Sequence, residues 1–483
     1  MCVLVTTQKK MQADFSDLLA RDVHDGIFLE DIIRCGKGSM TQDEMEEIIR
    51  RCTSTIAALN LSSTSTSSQM YGSWRESHTL LRVFTALNVL LHPGVESKQL
   101  SAQKLTMCRL VASARLIMIS CQNVMVHATA EVFALAKTCE TPKDSNKDVA
   151  ITAPLDARRS LLRQVVWLLF HLSASNDVET TSLVFLGYTL CTSLVTVVAQ
   201  HVHWGEQVAA DACCTLLNLM MTEPGTFADV VVNCASVCLG DGDAAQGDDT
   251  VKTKPAPVAL IDYVGALFHD ITSDAIMLSQ DDKLPASAHA SIDAPAWSSL
   301  QIVMMQLCSS ALLLGLTSSI GVMEVCMNGL VRQDGLRRGV VLQMIRGLAC
   351  ALEEAALQSV NSDDTEMMSA TGEDDATEAI AQSQLGQKES VEFMRELLDS
   401  EVLEAMRNRL QDMVTFDGCI CDDENTAGGG AGVGAGTAVR DDMPCHKKDD
   451  EEQRNIIESA HHLLQVIADC HEIAYGGDAV TCD

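Results

Sequence analysis

Residues 165–175 read VVWLLFHLSAS, and residues 208–219 read VAADACCTLLNL. In both stretches apolar side chains return every three or four positions, the period of a helix, not every second position as in a half-buried strand. The same spacing extends outward through most of the chain. Composition agrees: 47 % of the residues are hydrophobic but only 4 % are aromatic, with Leu, Ala, Val and Met supplying the bulk. Strands are built mainly from aromatic and β-branched residues, so that mix favours helices. The nine prolines fall mostly where periodic segments stop. The expected fold class is all-α.

Working outward, Thr41-Gln42-Asp43-Glu44 forms a capping-box signature that opens a helix running to about Asn60. A Ser/Thr loop follows over Ser62 to Ser68, and a helix from Trp74 stops at His92-Pro93-Gly94. Helical patterning then covers residues 98–138, 156–174, 177–203, 206–221 and 224–239. It resumes over 257–280, 296–318, 320–331, 334–360, 386–415 and 451–474. The punctuation is acidic or glycine-rich, as in 240–256, 361–385 and 417–450.

The two opening stretches resemble the third helix of an armadillo repeat. Val165, Trp167, Leu169 and Leu172 fit the apolar-x-Trp-x-Leu-x-Asn pattern of that family, with His171 where the family has Asn. Ala212, Leu216, Asn218 and Leu219 fit it again, and fainter echoes lie around Asn88, His269 and Gly315. From Asn88 to His171 is 83 residues, or two units of about 42 with an unmarked unit near residue 130. The later marks follow at 47, 51 and 46 residues, and repeats of this class run about 40–47. The resemblance covers 74–360 and implies an armadillo/HEAT-like α-solenoid, in which each layer shelters its neighbour's apolar face. The domain reading is then a helical cap over 1–73, repeats over 74–360, an acidic linker over 361–385 and a helix over 386–416. A disordered Gly/Asp-rich segment over 417–450 and a C-terminal helix with its tail over 451–483 complete it.

In the family, inner Asn side chains bond to the backbone of an extended peptide and Trp rings flank it. What the resemblance implies here is a partner-binding face made by Trp167, His171, Asn218, His269 and Asn88. The ladder is irregular, because only Asn218 and Asn88 keep the amide and only Trp167 keeps the indole.

A net charge of −32, from 66 acidic and 34 basic residues, argues against nucleic-acid binding, which needs a basic surface to neutralise phosphates. It permits a basic protein partner. Nineteen cysteines are scattered, and Cys108, Cys121, Cys191 and Cys308 sit inside apolar helical runs, as small core residues do. The opening MCVLVTTQKK is too short an apolar stretch for a secretory signal, so a reducing, cytoplasmic location is expected, with the nucleus also open. Residues 180–205 and 294–323 carry no Asp, Glu, Lys or Arg and are long enough to span a bilayer. Their Ser, Thr, Gln and His content and the lack of basic flanks favour buried helices over a membrane role.

Motifs for chemistry are absent. There is no C-x-x-C, no H-E-x-x-H and no G-x-S-x-G. Cys419, Cys421, Cys445 and His446 could close a zinc site only from within a segment expected to be disordered. Gly430 to Ala435 fits G-x-G-x-x-A without a preceding strand, and Asp241 and Asp243 begin a calcium loop that Ala245 and Gln246 break. His201 and His203 read as a helix end, and Cys234 and Cys238 as core thiols one turn apart. The expectation is a non-enzymatic scaffold that binds a protein without metal or cofactor. The alternatives are a chaperone regulator or assembly factor cupping a folded partner, and a membrane-associated helical protein.

Overall fold

The computed structural model describes residues 41–62, 74–91, 98–139, 148–175, 177–184, 188–233, 260–280, 296–333, 335–360, 390–417 and 445–475. Among them every regular element is a helix and no strand occurs. The chain divides into two compact units, Met1–Leu260 and Ile261–Asp483. Residues 240–256 and 361–385, expected as linkers, lie outside the described residues, as do 418–444 of the segment 417–450 expected to be disordered, and Cys234 and Cys238; Asp417 and residues 445–450 of that segment are helical.

The first unit holds α1 (Gln42–Ser62), α2 (Trp74–Leu91), α3 (Lys98–Ser113), α4 (Arg115–Cys139) and α5 (Asp148–Ser173). It continues with α6 (Val178–Val184), α7 (Tyr188–Ala199), α8 (His201–Trp204), α9 (Glu206–Thr222) and α10 (Pro224–Asn233). Helices distant in sequence pack side by side in rows. One row runs α2, α5, α9; a second runs α1, α4, α7; and α3 lies on α6. The stretch VVWLLFHL is apolar nearly all round because α5 is the middle of its row, with α4 and α6 also against it. Leu162, Val165, Val166, Leu168, Leu169 and Leu172 are all fully buried.

Two sequence expectations change here. The stretch 98–138 is not one helix but α3 and α4, bent by 75° at Ala114. Straight, it would reach about 60 Å; bent, it sends α3 and α4 into different rows. The stretch 177–203 divides into α6, α7 and α8. Gln200, at the second break, donates through Nε2 to the Thr129 carbonyl at 3.2 Å, and its Oε1 accepts from Trp204 Nε1 at 2.9 Å. Gly205, at φ +90°, then turns the chain into α9.

The second unit holds α11 (Leu260–Gln280), α12 (Ser299–Leu313), α13 (Ile320–Val331), α14 (Arg338–Val360), α15 (390–398), α16 (Glu401–Asp417) and α17 (Cys445–Tyr475). Here α12, α14 and α17 make one row, and α13 lies on α16. The Gly265 Cα of α11 backs onto Gly321 at the start of α13. The helix expected over 386–415 breaks at Ser400, whose Oγ accepts the Val402 N–H at 3.3 Å. The last helix starts at Cys445 rather than at 451.

Local signals set the ends of α12. Ser298 Oγ accepts the Gln301 N–H, and Gln301 Oε1 accepts the Ser298 N–H, so the helix opens on a capping box. It closes on a Schellman turn: Gly315, at φ +64°, donates to Leu312, and Leu316 donates to Ala311. Gly315 is therefore a helix terminator, not a repeat mark inside a helix. Among the described residues no single helix is long and apolar enough to cross a membrane. The uncharged stretch 294–323 contains α12, ten of whose fifteen residues are buried against neighbouring helices.

Candidate functional site

The row α2, α5, α9 carries four of the five candidate residues. Asn88 on α2 is 2 % exposed, and its Nδ2 donates to both the backbone carbonyl and the Oε1 of Gln164 on α5, each at 2.8 Å. Asn218 on α9 donates through Nδ2 to Ser173 Oγ at 3.1 Å, and that hydroxyl donates on to the Phe170 carbonyl. Both amides thus bridge neighbouring helices of one row. This corrects the expectation drawn from spacing: α2 packs directly on α5, with no unit between them. The 83 residues are one step lengthened by α3 and α4, of 16 and 25 residues.

His171 is buried at 8 % exposure, its ring 5.3 Å from Trp167 and 5.6 Å from Phe170. Trp167 is half-buried, as is Asn218. Past Asn218, Met221 is 51 % exposed at the end of α9. Indole, amide and thioether groups of this kind can stack, pack and hydrogen-bond with a partner.

His269 belongs to the second unit. Its Nε2 is 3.3 Å from the Gly321 carbonyl and 3.6 Å from Glu324 Oε2. The Gly321 carbonyl can only accept, so a hydrogen bond to it takes its proton from Nε2. The ring stands edge-on to Phe268 at 5.9 Å and joins α11 to α13.

The cysteines are set for packing. Burial pushes the Cys52 and Cys308 thiols up to about 12 and the Cys108 thiol to about 11. Cys214, beside Asp211 on α9, is pushed up to about 11 by burial first and by that carboxylate second. Thiols held so high carry negligible nucleophilic thiolate near neutrality. Among the described residues no group of three or more His, Cys, Asp or Glu could hold a metal ion. The cysteines at 419 and 421, the glycine run and the aspartates at 241 and 243 lie outside the described residues, and the side chains of Cys445 and His446 are likewise outside the description.

No protein-family model matches the chain, and no curated protein matches it significantly.

Sequence reasoning missed two polar features. One is a clamp between α3 and the start of α6. Arg109 donates to Asp177 through Nε at 2.9 Å and Nη2 at 2.7 Å, and the Asp177 carboxylate also accepts the Thr180 N–H and hydroxyl. The guanidinium first, then the Thr180 hydroxyl, hold the Asp177 carboxyl well below the usual carboxylate range. Sixty-eight residues separate the partners, so no local pattern announces the pair. The other is a cleft in the second unit lined by Arg338 and Arg409. Its signal was present in VRQDGLRRG (331–339), a basic run in an acidic chain.

Proposed function

We propose that the chain is a non-enzymatic protein-binding scaffold of the armadillo/HEAT-like solenoid class. The carrying observation is the row order of the first unit. Helices far apart in sequence, α2, α5 and α9, lie side by side and are cross-tied by Asn88 and Asn218, as stacked layers require. The second unit supports the reading with its row α12, α14, α17. The binding face in this reading is the surface of the α2, α5, α9 row around Trp167, Asn218 and Met221. The compartment is a reducing one, cytoplasmic or nuclear, in keeping with buried, protonated thiols.

A second reading, a chaperone regulator or assembly factor that cups a folded partner, is favoured by one observation. Asn88 and His171 are buried, and Asn88 engages Gln164, so an extended peptide would meet few ladder groups. A broad contact across the row needs no such ladder. Crosslinking mass spectrometry on the affinity-purified complex tests both readings. Crosslinks clustered around Trp167 and Met221, lost in the Trp167→Ala, Asn218→Ala double variant, support a scaffold acting through this row. Crosslinks from one short partner segment favour peptide capture, and crosslinks from several parts of a folded domain favour cupping. Full crosslinking by the double variant rejects the face.

A further inference from the structure

We infer that the second unit holds a site for one soft monovalent metal ion of the cuprous type, formed by the thioethers of Met305 and Met344 and one thiol of the facing pair Cys308 and Cys326. The sulfurs come from three helices that all pack on one another. Met305 and Cys308 lie one turn apart on α12, Cys326 lies one turn before Gly329 on α13, and Met344 belongs to α14. All four side chains are fully buried.

Gly329 marks where they meet. A Cβ there would lie 2.7 Å from the Met344 sulfur and 2.8 Å from the Met305 sulfur, so both thioethers converge on one point. The register of α12 and α13 then places the thiols. Residues 314–319 join these helices as an antiparallel pair, with Met305 against Gly329. In such a pair, three residues forward on one helix match three residues back on the other, which sets Cys308 against Cys326. Their closeness is also felt electrostatically: burial first, and Cys308 second, push the Cys326 thiol up. At a rise of 1.5 Å per residue, the thiol pair lies about 4.5 Å along the helices from the thioether pair.

The donor set selects the ion. Thioether and thiolate sulfurs are soft ligands that suit cuprous copper, whereas magnesium, calcium and manganese take oxygen. Zinc takes thiolate, imidazole or carboxylate, and the two thiols supply only half of a tetrahedral set. Charge selects the valence. A buried ion must be neutralised. One thiol releases its proton to solvent as its sulfur bonds to the metal, and no electron is transferred. That single thiolate balances a monovalent ion, the two thioethers complete a neutral three-sulfur shell, and the other cysteine stays protonated. The site shares no residue with the face around Trp167, so either proposal can fail alone.

The test is metal retention by the full chain. Because the sulfurs are buried, the ion enters and leaves only through local opening, so slow release is the signature. The protein is incubated with cuprous ion under ascorbate, then challenged with excess bicinchoninate to strip copper from exposed thiols, and the copper left is measured. The native chain is expected to keep one more ion than the Cys308→Ala, Cys326→Ala double variant. Met305→Leu and Met344→Leu should each weaken retention about tenfold or more. Leucine keeps the volume of methionine, so these two variants fold as the native chain does and decide the matter if the double alanine variant unfolds. No retained copper, equal retention by the double alanine variant, or retention that neither leucine variant weakens would each overturn the inference.

Discussion

The helices α5 and α14 hold the same position in different units, each in the middle of a row of three, yet their rows are joined differently. Along α5 the joints are polar, with Asn88 reaching in from α2 and Asn218 from α9. Along α14 the joint toward α12 has an amide too, Gln343 Nε2 donating to Ser310 Oγ, but adds a close backbone approach that the α5 joints lack. A Cβ on Gly347 would lie 2.6 Å from the Ser309 carbonyl, so only glycine lets the two helices approach so closely. Nearby, Gly329 of α13 leaves room for the sulfurs of Met305 and Met344. A row can therefore be closed by an amide that crosses the gap or by removing the side chain that would hold it open. The amide device is visible in sequence as a polar residue on an apolar face. The glycine device has no local mark that separates it from any other glycine.

The largest test of this comparison removes core from the polar-jointed row. Leu169→Ala deletes a fully buried side chain of α5 and should cost about 2–5 kcal/mol in chemical denaturation. A loss under about 1 kcal/mol would mean that α5 is not the packed centre of its row.

Next comes the glycine joint. Gly347→Ala gains helix propensity but drives a methyl into a backbone oxygen, and should be net destabilising by about 1–3 kcal/mol. Gly329→Ala should cost less, because its obstacles are the flexible ends of Met305 and Met344. Equal melting temperatures for the two variants would erase the distinction between rigid and yielding neighbours.

A smaller effect is expected at the amide bridges. Asn88→Ala should cost about 1 kcal/mol, the net value of its hydrogen bonds to Gln164. Part of this amide is already unsatisfied, since Asn88 Oδ1 is buried without a partner among the described residues. Asn218→Ala, at a half-exposed site, should cost less. Urea titration of the single and double variants would show near-additive losses if the bridges act separately on α5.

The smallest effect is electrostatic and confined to the first unit. The Asp177 carboxyl titrates below its unfolded value of about 4. Its stabilisation is thus complete above that pH and is lost as pH falls through the folded value. The melting temperature of the native chain should fall more steeply from pH 5 to about 3 than that of Asp177→Asn. Parallel slopes would show that the Arg109 clamp contributes nothing measurable.

How much was legible varies residue by residue. The periodicity around Asn218 gave a helix with nearly correct limits, and that around Trp167 gave the end of α5 but not its start at Asp148. It did not give the bend at Ala114, where the sequence offers neither proline nor glycine. That break follows from the separate rows that α3 and α4 join. The motif at Asn88 marked a helix of the right row but led to a wrong count, because length between marks does not tell how many helices lie between them. His171 resembled a ladder residue and is buried beside Trp167 and Phe170. Arg338 of the α14 cleft stands in a local run of arginines, but its meeting with Arg409 of α16 was not visible.

By itself, the sequence determined that the described residues are helical and which stretches carry a helical pattern of apolar faces. Those properties depend on neighbours three and four residues away, and short-range patterns record them. Only the tertiary structure decided which helices touch, that Asn88 and Asn218 turn inward to tie a row, and that Arg338 and Arg409 share a cleft. These outcomes depend on pairs as distant as Asn88 and Gln164, 76 residues apart. At that range side-chain periodicity holds no information, and only the geometry of packing selects the partner.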